Sequence, residues 1–389
     1  MKKVLIIALV VYIASSAMTY GVMSMSGSDS PGSSTVNNET DTEVVEGSDE
    51  EMLLAIDPGE PKDQVCPLNG QMFTKTEMDA WEKRRPLAVM IENSPDSRPQ
   101  SGLIKADVTF EALAEGGVTR FMAMYYCDAQ KQDVNLAPVR SARTYFIDWA
   151  SGFNKPLYVH VGGANTPGPA NALGQLSDYG WTGANDLNQF SIGYPTFVRD
   201  YDRLEGKEVA TEHTMVSSTE KLWAVGEKRK FTNVDPKGIE WSTGFTPWTF
   251  ADGEAKKGSV ASASFTFWDG FDTYGVKWEY DGATNTYKRV MAGEAHKDLE
   301  TDQQLSVHNA VVLFSKEKGP IDELKHMLYT TTGTGTAIVF QNGEAVEVNW
   351  SKPKRESPLA FTTKKGQPFS FVRGKIWISV VNVGTEVTY

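Results

Sequence analysis

Apolar and polar positions divide the chain into three parts. Residues 4–25 form an uncharged, mostly apolar run, residues 26–64 have no sustained apolar period, and runs typical of buried strands and helices follow from about residue 86. The first run comes after Lys2 and Lys3 and is long enough to span a bilayer at about 1.5 Å per residue. We therefore expect an anchor that leaves the rest of the chain outside the cytoplasm.

A cleaved signal peptide is the second interpretation of residues 1–25. Ser15 and Ala17 supply the small residues of an A-x-A-like cleavage site, and the mature protein would then be secreted. Apolar residues continue past Ala17 as far as Met23, which favours an uncleaved segment. We expect a single-pass protein of the cell membrane that contacts the cytoplasmic membrane through residues 4–25.

Residues 65–226 alternate between strand-like and helix-like patterns. The short apolar runs typical of buried strands are residues 86–91, 107–113, 121–127 and 157–161. The helical patterns are residues 141–152, 169–176 and 219–226. This alternation predicts an N-terminal domain of the α/β type.

A change of pattern follows residues 227–262, which have weak periodicity and are predicted to be a connector. The strand-like runs beyond it are residues 264–268, 276–280, 286–291, 310–314, 337–340, 345–350 and 375–381. Asn342-Gly343 predicts a hairpin turn between two of these runs. The fold class is therefore mixed α+β, an α/β-type domain followed by a mainly antiparallel β domain over residues 263–389.

Most of the negative charge belongs to the predicted linker. The chain has a formal net charge of −12, and residues 26–64 carry eleven acidic residues against Lys62. Such a segment repels itself and stays extended. The nearly neutral remainder has no basic excess, which argues against nucleic acid as a partner.

Cysteine usage agrees with export from the cytoplasm. Cys66 and Cys127 are the two cysteines of the chain, so they can form a disulfide or remain two thiols. A disulfide would close a loop of about 60 residues and contribute at most ~4 kcal/mol. The absence of a C-x-x-C or Cys/His cluster predicts no metal site, and we expect no cofactor.

Charged residues and glycines interrupt the predicted strands between Glu92 and Gly163. Burying charged groups without partners is costly, so this density is typical of a ligand site. The candidate ligand-binding residues are Glu92, Arg98, Glu115, Arg120, Arg140, Ser141, Arg143, His160, Gly162, Gly163 and His213. Five of these side chains are expected to line one cleft, namely Arg98, Arg120, Arg140, Arg143 and His160.

Arg140 and Arg143 flank the start of the predicted helix, with Ser141 as its cap. Arginines near a helix N-terminus suit a phosphate or carboxylate ligand. The alternative is a structural network in which they pair with the nearby carboxylates Glu92, Glu111 or Glu115. Gly162-Gly163 follows a predicted strand, and such strand ends are common ligand positions in α/β sheets.

Eight segments together resemble one protein family. They are RRPLAVMIENSPDSRPQSGL (84–103), ADVTFEALAEGGVTRFMAMY (106–125), APVRSARTYFIDWA (137–150), LYVHVGG (157–163), EHTMVSSTEKLW (212–223), HNAVVLF (308–314), GTGTAIVFQNGEAVEVNWSK (333–352) and GKIWISVV (374–381). The set is similar to the YerB-like family of predicted bacterial lipoproteins, which consists of two domains of unknown function. The resemblance implies an exported, membrane-attached protein and supplies no activity. Residues 1–25 lack the cysteine that carries the lipid of a lipoprotein.

These observations favour a membrane-tethered extracytoplasmic protein that binds an anionic cell-envelope polymer or a partner protein. The alternative is a cell-envelope hydrolase or transferase that uses Glu115 with His160 or His213 as acid and base. A purely structural adaptor is the third hypothesis. The sequence contains neither a G-x-S-x-G elbow nor an H-E-x-x-H motif, so binding is favoured over catalysis.

Overall fold

Strands dominate the part of the chain that the computed structural model describes, which is residues 52–255 and 258–389. In chain order the strands are β1 Lys62–Val65, β2 Met72–Thr74, β3 Leu87–Glu92, β4 Val108–Glu115, β5 Val118–Tyr125, β6 Asn135–Leu136, β7 Leu157–His160, β8 Asp186–Asn188, β9 Val198–Arg199, β10 Met215–Ser218, β11 Thr249–Ala251, β12 Ser262–Phe265, β13 Val276–Asp281, β14 Thr286–Met291, β15 Glu294–Ala295, β16 Ser306–Val307, β17 Asn309–Ser315, β18 Glu317–Lys318, β19 Leu328–Tyr329, β20 Gly333–Gln341, β21 Glu344–Lys352, β22 Ala360–Thr363, β23 Ser370–Val372 and β24 Ile376–Asn382. The α-helices are α1 Lys75–Trp81, α2 Thr144–Ser151, α3 Ala172–Asp178, α4 Gln189–Ile192 and α5 Thr219–Lys228.

A ten-stranded sheet joins the two predicted halves of the body. Its strand order is β22-β21-β20-β17-β24-β4-β5-β3-β7-β8. The late strand β24 lies parallel to both β17 and β4, so strands from both halves are hydrogen-bonded to one another. The mixed α+β class is confirmed, and the domain boundaries stay a prediction.

The centre of this sheet is buried along its length. All six residues of β3 are buried, and seven of the eight residues of β4 are buried. Such strands have continuous apolar runs because both faces are covered. This is why the pattern at residues 86–91 predicted β3 correctly.

The hairpin between β20 and β21 follows from its turn residues. Asn342 and Gly343 have φ values of 55° and 73°. A two-residue turn with two positive φ angles matches the right-handed twist of the paired strands. The nine-residue antiparallel register from Gly333↔Lys352 to Gln341↔Glu344 confirms the predicted turn.

The folded body begins earlier than the predicted end of the linker. Lys62–Val65 pairs with β2, and Met52 forms a β-bridge to Gln132. Residues 62–64 therefore belong to the body, because backbone pairing holds them despite their weak apolar pattern. The predicted membrane segment 4–25 and most of the linker 26–64 lie outside the described residues. None of the helices in residues 52–255 and 258–389 is long and apolar enough to cross a membrane.

A disulfide joins Cys66, which follows β1, to Cys127, which follows β5. The buried carboxylate of Asp107 lies beside it and accepts hydrogen bonds from the backbone N–H groups of Tyr126 and Cys127 at 2.8 and 2.9 Å. Burial raises the pKa of Asp107 to about 7. The sulfur atoms of Cys66 and Cys127 are bonded to each other, so these residues and Asp107 offer no thiolate to a metal.

Candidate functional site

Three parallel strands end at one edge of the large sheet. β7 pairs in parallel with β3 on one side and with β8 on the other. Their carboxyl ends place Glu92, His160 and Asn188 along the same edge. Ligands of open α/β sheets bind outside the carboxyl ends of strands.

Residues 139–142 cross this edge between the ends of β3 and β7. The N–H of Arg140 donates to the Met90 carbonyl at 2.8 Å, and the N–H of Ala142 donates to the Gly162 carbonyl at 3.0 Å. These bonds hold the segment extended, so α2 starts at Thr144 rather than at Ser141. The prediction that Ser141 caps the helix is wrong for this reason.

A pocket of about 590 Å³ opens at this edge. It is lined by Arg140, Ser141, Val161, Gly162, Gly163, Asn165, Leu173, Asn188, Phe190, Arg199, Thr211, Glu212 and Met215. Its volume lies within the range of small-molecule sites, roughly 300 to 1,000 Å³. Four of the candidate residues from the sequence therefore meet here, Arg140, Ser141, Gly162 and Gly163.

Arg140 is the most available cation of this pocket. Its side chain is 24% exposed, and its Nε lies 3.2 Å from Glu92 Oε1 without the geometry of a hydrogen bond. Glu92 is shared, because His213 Nδ1 lies 2.8 Å from its other oxygen. Within the described part of the chain, Arg140 makes this ion pair and no side-chain hydrogen bond. Its Nε is buried against Glu92, so its Nη groups are the donors that remain for a ligand.

Arg199 and Glu212 also line the pocket. Arg199 Nη1 donates to the Thr211 carbonyl and, at 3.3 Å, to Thr214 Oγ1. The backbone N–H of Glu212 lowers the pKa of its own carboxyl group, so this group is ionised at neutral pH. The two arginines outnumber this carboxylate in the lining, which favours an anion.

Gly162 is required by the backbone and by its neighbour. Its φ is 57°, and a Cβ there would lie 2.9 Å from the ring of Phe190. Its N–H donates to Asn188 Oδ1 at 3.1 Å, so this amide is already engaged. Gly162 and Gly163 therefore shape the pocket, and the engaged N–H of Gly162 is not available to bind an anion.

Glu115, whose side chain is 28% exposed, forms a triad with the buried arginines Arg120 and Arg143. Arg120 Nη2 lies 2.7 Å from Glu115 Oε1, and Arg143 Nη2 lies 2.6 Å from Glu115 Oε2. Arg120 also donates to the carbonyl of Ser141 at 3.0 Å, which ties the triad to the pocket wall. Burial opposes ionisation of Glu115, but the two guanidinium groups outweigh it and lower its pKa to about 2.

Four of the five side chains expected to line one cleft lie elsewhere. Arg120 and Arg143 are buried in the triad, and His160 is fully buried between Asp186 and the Gly162 carbonyl, at 2.5 and 2.6 Å from its ring nitrogens. Arg98 donates to Asn93 and to the Thr273 carbonyl. The single-cleft expectation is wrong because carboxylate or carbonyl partners were available to each of these groups.

Sequence patterns missed several residues of the pocket, namely Asn165, Asn188, Phe190 and Arg199. Phe190 is 75% exposed, whereas a large aromatic side chain is usually expected to be buried. Arg199 belongs to a two-residue strand with no distinctive motif around it. The sequence signal that could have identified Asn188 is its position directly after the apolar Leu187, at the end of β8.

A larger groove of about 1440 Å³ lies in the C-terminal half. Ser264, Lys277 and Val290 line it and are neighbours across β12, β13 and β14. None of the eleven candidate residues lines this groove, and Lys277 is paired with Glu279 at 2.6 Å. The smaller pocket is therefore the better candidate despite its size.

The geometry defines a mixed α+β protein with a polar pocket at the edge of its sheet, and such architectures host many functions. The profile described as "Protein of unknown function (DUF3048) N-terminal domain" matches residues 73–232, and that of its C-terminal domain matches residues 266–378. The chain belongs to this family, which confirms the resemblance seen in the sequence.

A relative and a solved structure support this assignment. The chain is 30% identical over 330 residues to "Putative lipoprotein YerB" of Bacillus subtilis (strain 168), covering 83% of this chain and 88% of the relative. It is also similar to the crystal structure of the YerB protein from Bacillus subtilis, with a TM-score of 0.67 and 26% identity over 84% of this chain and 100% of that chain. The name of the relative is consistent with an extracytoplasmic, lipoprotein-like protein.

Proposed function

We propose that this chain is a membrane-tethered extracytoplasmic binding protein whose pocket at the edge of the large sheet holds an anionic group of a cell-envelope ligand. The observation that carries the proposal is Arg140, a partly exposed cation that lines the pocket, pairs with Glu92 through Nε and makes no side-chain hydrogen bond within the described residues. Arg199 adds a second cation to the lining of the pocket. Guanidinium groups bind carboxylates and phosphates through two parallel hydrogen bonds, which suits this arrangement.

The environment of Arg140 supports binding more than catalysis. Arg140 pairs with Glu92, which also contacts His213. Arg120 of the triad donates to the carbonyl of Ser141, the residue next to Arg140. Glu115 has two arginine partners, and neither His160 nor His213 forms an ion pair with it among the described residues. A carboxylate with a pKa of about 2 is a poor general acid at neutral pH.

Replacing Arg140 with methionine is expected to weaken the binding of inorganic phosphate by roughly tenfold or more, because a charge-assisted pair is lost. Isothermal titration calorimetry of the full-length chain measures this constant. Arg140→Met also takes the cation from the buried Glu92, so the melting temperature should fall, and circular dichroism at the titration temperature verifies that the variant is folded.

Arg373→Met is the matched control, since it removes one positive charge that pairs with the exposed Asp252 outside the pocket. Its phosphate affinity should stay close to that of the wild type. Equal affinities for wild type and Arg140→Met, or no saturable binding by the wild type, would contradict the proposed anion pocket.

A further inference from the structure

Phe190 is an apolar side chain that the fold leaves uncovered at the pocket. It lies on α4, where the structure buries none of the four residues, and it is 75% exposed. Its ring nevertheless lies against Gly162 and lines the pocket with Arg140 and Arg199. An exposed aromatic ring beside arginines is typical of a ligand-binding surface.

The position of Phe190 is set by its backbone rather than by packing of its side chain. Asn188 Oδ1 accepts hydrogen bonds from the N–H of Phe190 at 3.2 Å and from the N–H of Gly162 at 3.1 Å. Because Gly162 has no Cβ, the ring can approach the main chain closely. The backbone of Phe190 is therefore held at the pocket, with its ring against Gly162.

The groups around this ring narrow the class of ligand. Asn165, Asn188 and Glu212 also line the pocket and offer amide and carboxylate groups. A sugar ring presents an apolar C–H face, which packs on an aromatic ring, and hydroxyl groups around its edge, which bond to amides and carboxylates. An inorganic anion uses only the arginines and gains nothing from Phe190.

The size of the pocket argues against a protein as its occupant. Its volume of about 590 Å³ suits one or two sugar units. A stable protein interface buries roughly 800 Å² on each partner, which is a broad surface rather than a pocket of this kind. The pocket therefore favours a small unit of a polymer.

We propose that the ligand is an anionic sugar unit, with its ring packed on Phe190 and its phosphate or carboxylate held by Arg140 and Arg199. This inference rests on the proposed anion pocket and adds the sugar to it. Glucose 1-phosphate and glucuronic acid are the two probes, because they place a phosphate and a carboxylate on the same kind of ring. Inorganic phosphate is the probe without a sugar.

The experiment compares the full-length wild type with Phe190→Leu, which keeps an apolar side chain and removes the flat ring. The wild type is expected to bind one of the two sugars roughly tenfold more tightly than inorganic phosphate. Phe190→Leu should remove this advantage and leave the affinity for phosphate within about twofold. The sugar that shows the advantage identifies the charged group.

Tyr194→Leu is the matched control, because Tyr194 is 84% exposed and does not line the pocket. It should bind both sugars as the wild type does. Equal sugar affinities for wild type and Phe190→Leu would overturn the sugar proposal while leaving the anion pocket intact. An equal loss of sugar affinity in Tyr194→Leu would also overturn the sugar proposal, because it would indicate a broad aromatic surface that binds a protein. If the wild type binds none of the three probes, both proposals are overturned.

Discussion

Replacing Glu111 with glutamine is expected to lower the free energy of unfolding by about 3 to 5 kcal/mol. Glu111 on β4 and Arg289 on β14 form an ion pair of 2.7 Å in which both side chains are fully buried. Removing the carboxylate charge leaves a buried guanidinium without its partner, and such a charge is costly in a low-dielectric interior. Urea unfolding monitored by tryptophan fluorescence measures the effect.

Further contacts make this pair the centre of a buried network. Trp377 Nε1 donates to Glu111 Oε2 at 3.0 Å, and Arg289 Nε donates to His296 Nδ1 at 3.1 Å. Burial and the neighbouring Arg289 hold the pKa of His296 well below its ordinary value, so the ring is neutral and can accept this bond. The guanidinium of Arg289 also lies 4.3 Å from the ring centre of Trp377. These contacts connect the two predicted halves through side chains as well as through the sheet.

A control and a double variant separate the lost charge from the lost shape. Glu347→Gln removes a carboxylate from an exposed pair with Lys364 and should change stability only slightly. Glu111→Leu combined with Arg289→Met should recover much of the loss, since apolar groups can replace a buried ion pair. A Glu111→Gln variant as stable as the wild type would show that Arg289 is adequately solvated without its partner.

Local patterns predicted the elements better than their arrangement. The run at residues 86–91 and the Asn342-Gly343 turn specify a buried strand and a hairpin because both signals lie within a few residues. The parallel pairing of β24 with β4 joins residues about 270 positions apart, and no short pattern specifies it. The pairing of Glu111 with Arg289 has the same origin, so the sequence identified the carboxylate and not its partner.

The candidate site was predicted in part for a similar reason. Gly162 follows a predicted strand, and such strand ends are common ligand positions. Arg140 was predicted from a helix start, and the helix begins at Thr144 instead. His160 and Arg143 were also predicted to bind a ligand, but His160 contacts Asp186 and Arg143 contacts Glu115. Such pairings depend on tertiary contacts, which a local pattern does not specify. Phe190 was missed because exposure of an aromatic side chain cannot be read from its neighbours in sequence.

Replacing Glu115 with glutamine is expected to lower the free energy of unfolding by about 3 kcal/mol at pH 7, with a pH dependence that identifies the cause. The pKa of Glu115 is about 2 in the folded protein, against an ordinary value of 4.5. A lowered pKa stabilises the fold above the ordinary value, and this stabilisation is lost as the pH falls from about 4.5 towards 2. The difference between wild type and variant should therefore be full at pH 7 and roughly half as large or less at pH 3.

The same measurement distinguishes the triad from general effects of charge. Glu279→Gln removes a carboxylate from an exposed pair with Lys277, so its stability should follow that of the wild type at both pH values. A difference for Glu115→Gln that stayed constant from pH 7 to pH 3 would mean that lost packing, and not the two guanidinium groups, causes the destabilisation. A difference that shrinks between pH 7 and pH 3 would show that the charge of Glu115, paired with Arg120 and Arg143, stabilises the fold.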